Sequence, residues 1–426
     1  MFRTCFIFLA LLSLAAPSRA QDEARLKIKE HINKLAAGNM EGRGYVKKGA
    51  EKAAIYIQKE FEKAGLHPLS PDSTFVQFYH FQVNTFPDAM RLTVNKKLLN
   101  PGPDFLVDAQ SSGYAQENMK VVKINLDKIR DSAAWQKARD GFTPGKMYRL
   151  SHSDSFCKRM SIPPRKLARE LPDGCYMIPV KGKMTWAVGT DTIRPTVLYV
   201  QDSVLPRRIK NASVNVRSLL LPNHKSANLV AYVPGTLPDS FIVFSAHYDH
   251  LGRMGPAVFN GANDNASGTA MILYLADYFS RHPQRYSIAF IAFSGEEAGL
   301  KGSEYFAKNP LIPLSHIRFV ANLDIMGDAT DGVTVVNATE HPREFELLQE
   351  INKKNRYLPE VKNRGKSANS DHHHFSEAGV PAIFMYSNGG KGYYHDVFDK
   401  ASELSMNNVV NVSRLLIDFV TELNKP

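Results

Sequence analysis

Phe241-Ile242-Val243-Phe244-Ser245-Ala246-His247-Tyr248-Asp249 sets the reading of this chain. The run 241–246 is apolar apart from Ser245 and too short for a helix, so it predicts a strand buried on both faces, as in a parallel sheet. A histidine and an acid follow it directly. Further apolar runs occupy 228–233, 287–293, 317–323 and 380–386, while 266–281 and 406–423 carry helical periodicity. This alternation predicts an α/β fold with a mixed, mostly parallel sheet flanked by helices.

Upstream, Ala53, Ala54, Ile57, Phe61 and Ala64 recur at helical spacing over 48–64, and Gly65 offers a left-handed stop. From 101 to 206 the pattern is irregular, with short β-like runs at 120–124 and 196–200 among Pro, Gly and charged residues. Trp135, Trp186, Cys157 and Cys175 all fall there, which predicts an inserted β-rich module with its own small core. A chain of 426 residues suits two domains, or one with a large insertion.

Arg3, the apolar run 5–16 and the small-residue site Ser18-Arg19-Ala20 predict a signal peptide over 1–20, cleaved before Gln21. The run is shorter than the roughly 20 residues that span a bilayer, and no later segment is long and apolar enough. The protein is therefore expected to be secreted or periplasmic, with no integral membrane segment after cleavage. Losing Arg3 and Arg19 takes the formal charge from +11 to +9. The remaining positive charge is dispersed. Pro163-Pro164-Arg165-Lys166 and Pro206-Arg207-Arg208 lack interleaved aromatics for base stacking, so no nucleic-acid partner is expected. Cys157 and Cys175 remain open to either reading, a disulfide or two buried free thiols.

The residues that carry chemistry follow the apolar runs. His247 and Asp249 come after Ala246, Glu296-Glu297 after Phe293, and Asp324 after Leu323. Asp264, in Gly261-Ala262-Asn263-Asp264-Asn265, precedes a helical stretch, and His395 lies beyond the run ending at Tyr386. Ligands of α/β sheets gather at the carboxyl ends of strands, so these positions can meet at one edge. Each alone has an ordinary structural explanation, such as a helix cap for Asp264. Together they are buried acids that cost several kcal/mol unless paired or metal-bound. Histidine nitrogen and carboxylate oxygen without thiolate suit catalytic zinc. Two such sites could share Asp264, provided one carboxylate stays off the metal to move protons.

These residues, in this order, resemble the M28 family of zinc peptidases, which includes secreted bacterial leucine aminopeptidases. The resemblance rests on Ala246-His247-Tyr248-Asp249-His250-Leu251-Gly252, Asn263-Asp264-Asn265-Ala266-Ser267-Gly268, Ser294-Gly295-Glu296-Glu297 with Gly299 and Gly302-Ser303, and Asn322-Leu323-Asp324. It continues through Ser370-Asp371-His372 with Phe375 to Tyr394-His395, and Glu41-Gly42-Arg43 resembles the leading part. It implies a zinc-peptidase (phosphorylase/hydrolase-like) fold and two Zn2+ per chain, with His247, Asp264 and Asp324 on one ion and Asp264, Glu297 and His395 on the other. Glu296 becomes the general base, Asp249 the carboxylate that orients His247, and Tyr394 a substrate-binding hydroxyl. Peptides become the substrates and removal of amino-terminal residues the reaction. The expected organisation is a signal peptide over 1–20, a catalytic domain split into 21–100 and 207–426, and a protease-associated-like module over 101–206.

Other readings are a glutaminyl cyclase or carboxypeptidase of the same fold, or a metal-free binding protein. Against the cyclase, Tyr394 stands where those enzymes carry tryptophan. No G-x-S-x-G elbow supports a serine hydrolase. His372-His373-His374 is expected to support the site without ligating. Sequons stand at Asn211, Asn265, Asn337 and Asn411. A glycan at Asn265 would obstruct the proposed bridge, so a bacterial origin is expected.

Overall fold

All five expected runs form strands of one sheet in the computed structural model, which describes residues 21–426. The expected signal peptide over 1–20 lies outside the described residues. Across the sheet the order is His67–Pro68, Leu219–Val233, Tyr286–Phe293, Leu237–His247, Ile317–Leu323, Ala382–Ser387, Val333–Val336 and Val361–Arg364, with Val76–Thr85 also paired to Leu219–Val233. Tyr286–Phe293, Leu237–His247, Ile317–Leu323 and Ala382–Ser387 run parallel to one another. Antiparallel pairings lie to either side of these four, so the sheet is mixed and parallel at its centre.

The period of two in Leu237–His247 explains the unbroken apolar run. Ile242, Phe244 and Ala246 pack on one face, with side chains from Gly49–Lys63, Gly268–Arg281, Pro342–Asn355 and Val409–Leu423. Phe241 and Val243 pack on the other, with Phe306 and Phe375 from Lys301–Lys308 and His372–Glu377. Burying each such side chain contributes about 1.5–3 kcal/mol, which fixes the strand between two helical layers.

A second, eight-stranded sheet draws on residues from Arg91 to Val216, wider at both ends than 101–206. Its central strands Tyr114–Asn125, Lys146–Ser151, Cys175–Val180 and Thr196–Gln201 are parallel. Cys175 and Met177 face one side, while Tyr176 and Ile178 face the other with Cys157. The sheet separates the two sulfurs, and both cysteines are free. Only one of its two cores belongs to this sheet alone. That core, around Trp135 and Cys157, lies within 101–206, while the other, which holds Trp186, includes Leu251, Met254 and Phe259 of the main part. Among the described residues no helix is long and apolar enough to cross a membrane.

Candidate metal centre

The expected residues stand at strand ends or in the loops that follow. His247 closes Leu237–His247, Asp324 directly follows Ile317–Leu323, and Glu296 and Glu297 follow Tyr286–Phe293 through Gly295, whose φ is 69°. Asp264 lies in the Ala262–Ser267 turn that enters the helix Gly268–Arg281. His395 sits beyond Ala382–Ser387 at a φ of 55°. Adjacent parallel strands end side by side, which brings these exits to one edge.

Asp264 is their meeting point. Its Oδ1 is 3.4 Å from His247 Nε2, and its Oδ2 is 3.2 Å from His395 Nε2. His247 Nε2 is 3.3 Å from Asp324 Oδ1, and His395 Nε2 is 3.0 Å from Glu297 Oε2. One carboxylate thus faces two histidine–acid pairs. Possible ligand atoms of His247, Glu296 and Asp324 lie within 4.8 Å of one another, as do those of His250, Asp264 and Glu297. That grouping and the pair contacts differ over Asp264. The contacts join its two oxygens to different histidines, Oδ1 to His247 and Oδ2 to His395.

Acids crowd the centre. Burial would lower the pKa of His395, but Glu297 and Asp264 carry it up to about 11. Burial would raise that of Glu297, but His395 holds it down to about 2. Glu296 moves the other way: burial, then Glu297, Asp371 and Asp324, outweigh His247 and push it well above the usual carboxylate range. The centre calls for positive charge, which histidine protons can provide and a metal cation provides when it displaces them. Asp264 Oδ2 is buried and accepts no hydrogen bond despite its 3.2 Å approach to His395 Nε2. Such an oxygen fits a metal ligand better than a hydrogen-bond acceptor. Nitrogen and oxygen donors without thiolate, divided around one carboxylate, fit two zinc ions.

Residues behind the centre hold it in place. Asp249 Oδ2 accepts the Tyr45 hydroxyl at 2.6 Å, and its Oδ1 accepts the Glu296 N–H at 3.3 Å and lies 3.7 Å from His247 Nδ1. Ser370 Oγ donates to Asp324 Oδ2 at 3.2 Å. Asp399 accepts the backbone N–H groups of Asn263 and Asp264. Arg43 is fully buried and donates to the carbonyls of Tyr248, Leu35, Asn260, Gly261 and Asp264, tying the early chain to the Asp264 turn.

Residues 228–420 match peptidase family M28. That segment holds all five candidate ligands, His247, Asp264, Glu297, Asp324 and His395. It is 27% identical to leucine aminopeptidase 1 of Leptosphaeria maculans over 216 residues, which cover 46% of this chain and 55% of that one. A probable zinc metalloprotease of Pyricularia oryzae is 38% identical over 113 residues, 25% of this chain and 22% of its own length. The chain therefore spans about half the length, or less, of these curated relatives. A zinc aminopeptidase from Bacillus subtilis superposes with a TM-score of 0.68 at 18% identity, covering 94% of this chain and 95% of that one. An aminopeptidase from Aneurinibacillus sp. strain AM-1 gives a TM-score of 0.64 at 18% identity over 94% of each chain. These likenesses are of fold.

The M28 segment brings together His247, Asp264, Glu297, Asp324 and His395, with Glu296 and Asp249 beside them. Tyr394 stacks on His395 at 3.8 Å and remains 49% exposed. From the histidine tract, His372 is buried beside Phe384, and it is Ser370 that touches Asp324. Sequence reasoning gave no role to His250, which is fully buried with Nδ1 2.7 Å from Glu297 Oε1 and 4.0 Å from Asp264 Oδ1. Its place in the His247-Tyr248-Asp249-His250 segment was the available signal. Asp399 and Tyr45 gave none, because their partners lie far away in sequence. Asn265 and Asn337 are buried and donate to the carbonyls of Leu323 and Ala382, so neither side chain is open to a glycan.

Proposed function

We propose that this chain is a zinc-dependent exopeptidase that removes amino-terminal residues from peptides. The observation that carries the reading is Asp264, whose two oxygens face His247 and His395 separately. In this reading His247, Asp264 and Asp324 hold one zinc, and Asp264, Glu297 and His395 hold the other. The aminopeptidase names of relatives that share the fold support the direction of cleavage. Bound zinc would supply Lewis acidity, polarising the scissile carbonyl and making a water acidic enough to attack near neutral pH.

The chain's own groups do the remaining work. Glu296, free of ion pairs among the described residues, takes a proton from the attacking water and returns it to the leaving amine. Its raised proton affinity suits both directions of transfer. The Asp249 backbone carbonyl, 3.2 Å from His247 Nδ1, holds that ring, and Tyr45 holds the Asp249 carboxylate. His250 fixes Glu297 through its Nδ1. The Tyr394 hydroxyl is assigned to the substrate carbonyl. The division into 21–100, 101–206 and 207–426 and a secreted or periplasmic location belong to the same reading, the latter from the sequence of 1–20.

The test is release of single residues from a panel of aminoacyl chromogenic substrates, with chelator and with zinc restored. Chelator-sensitive release is expected. Zinc-loaded protein that leaves the whole panel uncut, yet cyclises amino-terminal glutamine or trims the carboxyl end, would replace this reading.

A further inference from the structure

His395 belongs to the main sheet's loops, but its outer hydrogen bonds come from the second sheet. Its Nδ1 is 2.8 Å from the carbonyl oxygen of Trp186, and its own carbonyl accepts the Trp186 N–H at 3.1 Å. A carbonyl can only accept, so Nδ1 carries the hydrogen and Nε2 is the nitrogen left to face Asp264 and Glu297. A non-glycine residue at a φ of 55° costs energy and persists where its surroundings hold it, as this two-point backbone clamp does.

Trp186 is itself held firmly. Its indole Nε1 donates to the Val107 carbonyl at 2.8 Å, in the second-sheet strand Phe105–Val107. Its ring stacks on Phe259 with centroids 4.9 Å apart. Three residues earlier, Lys183 Nζ donates to the Gly392 carbonyl at 2.6 Å, a third tie between the same two loops.

We infer that Trp186 is a positioning residue for His395, so that zinc binding at one of the two positions depends on the second sheet. This rests on the two-zinc reading above. The module between the halves of the catalytic domain thereby completes the metal centre from outside. Losing an outer-shell hydrogen bond of this kind weakens metal affinity by about ten- to a hundredfold.

The experiment is zinc content of the full chain after equilibrium dialysis across a series of zinc buffers. The unaltered protein is expected to hold two equivalents. Trp186→Ala is expected to hold one firmly and to bind the second roughly ten- to a hundredfold more weakly. His395→Ala should lose that same equivalent, and adding Trp186→Ala to it should change zinc binding no further. Trp186→Phe retains a ring to stack on Phe259 but lacks the donor to Val107, and it should weaken the same position to a smaller degree. This variant carries the test if the alanine form does not fold. Two equivalents at unaltered affinity in the Trp186 variants would overturn the inference, as would a Trp186→Ala effect that persists in the His395→Ala background. Unaltered protein that binds no zinc would instead remove the two-zinc reading.

Discussion

Glu296 and Glu297 are neighbours in the chain with opposite tendencies. His395 keeps Glu297 ionised, whereas burial and the surrounding acids favour the proton on Glu296. Glu296→Gln preserves shape and removes the proton carrier. It is expected to retain two zinc ions by metal analysis while turnover falls about a hundredfold or more; turnover near the unaltered rate would reassign the base. Arg43 acts by a different route, since its guanidinium serves five backbone carbonyls and no carboxylate among the described residues pairs with it directly. Arg43→Met leaves those carbonyls without their donor and should cost about 2–4 kcal/mol in urea unfolding. Arg43→Lys should recover little, because a compact ammonium cannot reproduce the planar fork. A loss below about 0.5 kcal/mol would show that other donors replace the arginine.

The start of the Gly268–Arg281 helix lies directly against the metal-bearing edge. A Cβ at Gly268 would stand 2.3 Å from Asn265 Oδ1 and 2.4 Å from the Leu323 carbonyl. Leu323 precedes Asp324, so Gly268→Ala should push apart the elements that carry Asp264 and Asp324. The expected loss is at least about 2 kcal/mol of stability, with weaker zinc binding. Unchanged unfolding and zinc affinity would mean the strand end yields freely. Glycine in Asn265-Ala266-Ser267-Gly268 was visible in the sequence, but its reason was not, because Leu323 approaches from 55 positions away. The central strands were legible for a physical reason: burial on both faces leaves an unbroken apolar run such as 241–246. Val333–Val336 and Val361–Arg364 were not read, since four residues give too little pattern.

For the whole molecule, the centre concentrates buried acids at one edge of the main sheet, paired there with His247 and His395. A ligand that binds only the folded state stabilises it by about 4 kcal/mol when present at roughly a thousand times its dissociation constant. Chelation should therefore lower the unfolding temperature and zinc should restore it, as followed by calorimetry. An unfolding temperature indifferent to chelator would show that the acids are neutralised by protons alone. Most candidate ligands could be read from the sequence because they follow apolar runs, whereas Asp264 stands before a helix. The Trp186 clamp could not: the runs at 120–124 and 196–200 marked two of the parallel strands, but the irregular segment around Trp186 disclosed no route to His395.

Cys157 and Cys175 lie on opposite faces of the second sheet, and burial raises the proton affinity of both, that of Cys175 to about 12. Maturation of this sheet therefore forms no Cys157–Cys175 bridge. The sulfurs are also two built-in clocks. With a thiol reagent near pH 8, Cys157 should report the opening of the helix-covered layer and Cys175 that of the layer shared with the main part. Equal labelling rates would mean that the sheet opens as one unit, and a faster Cys157 would mean that its helices peel away first.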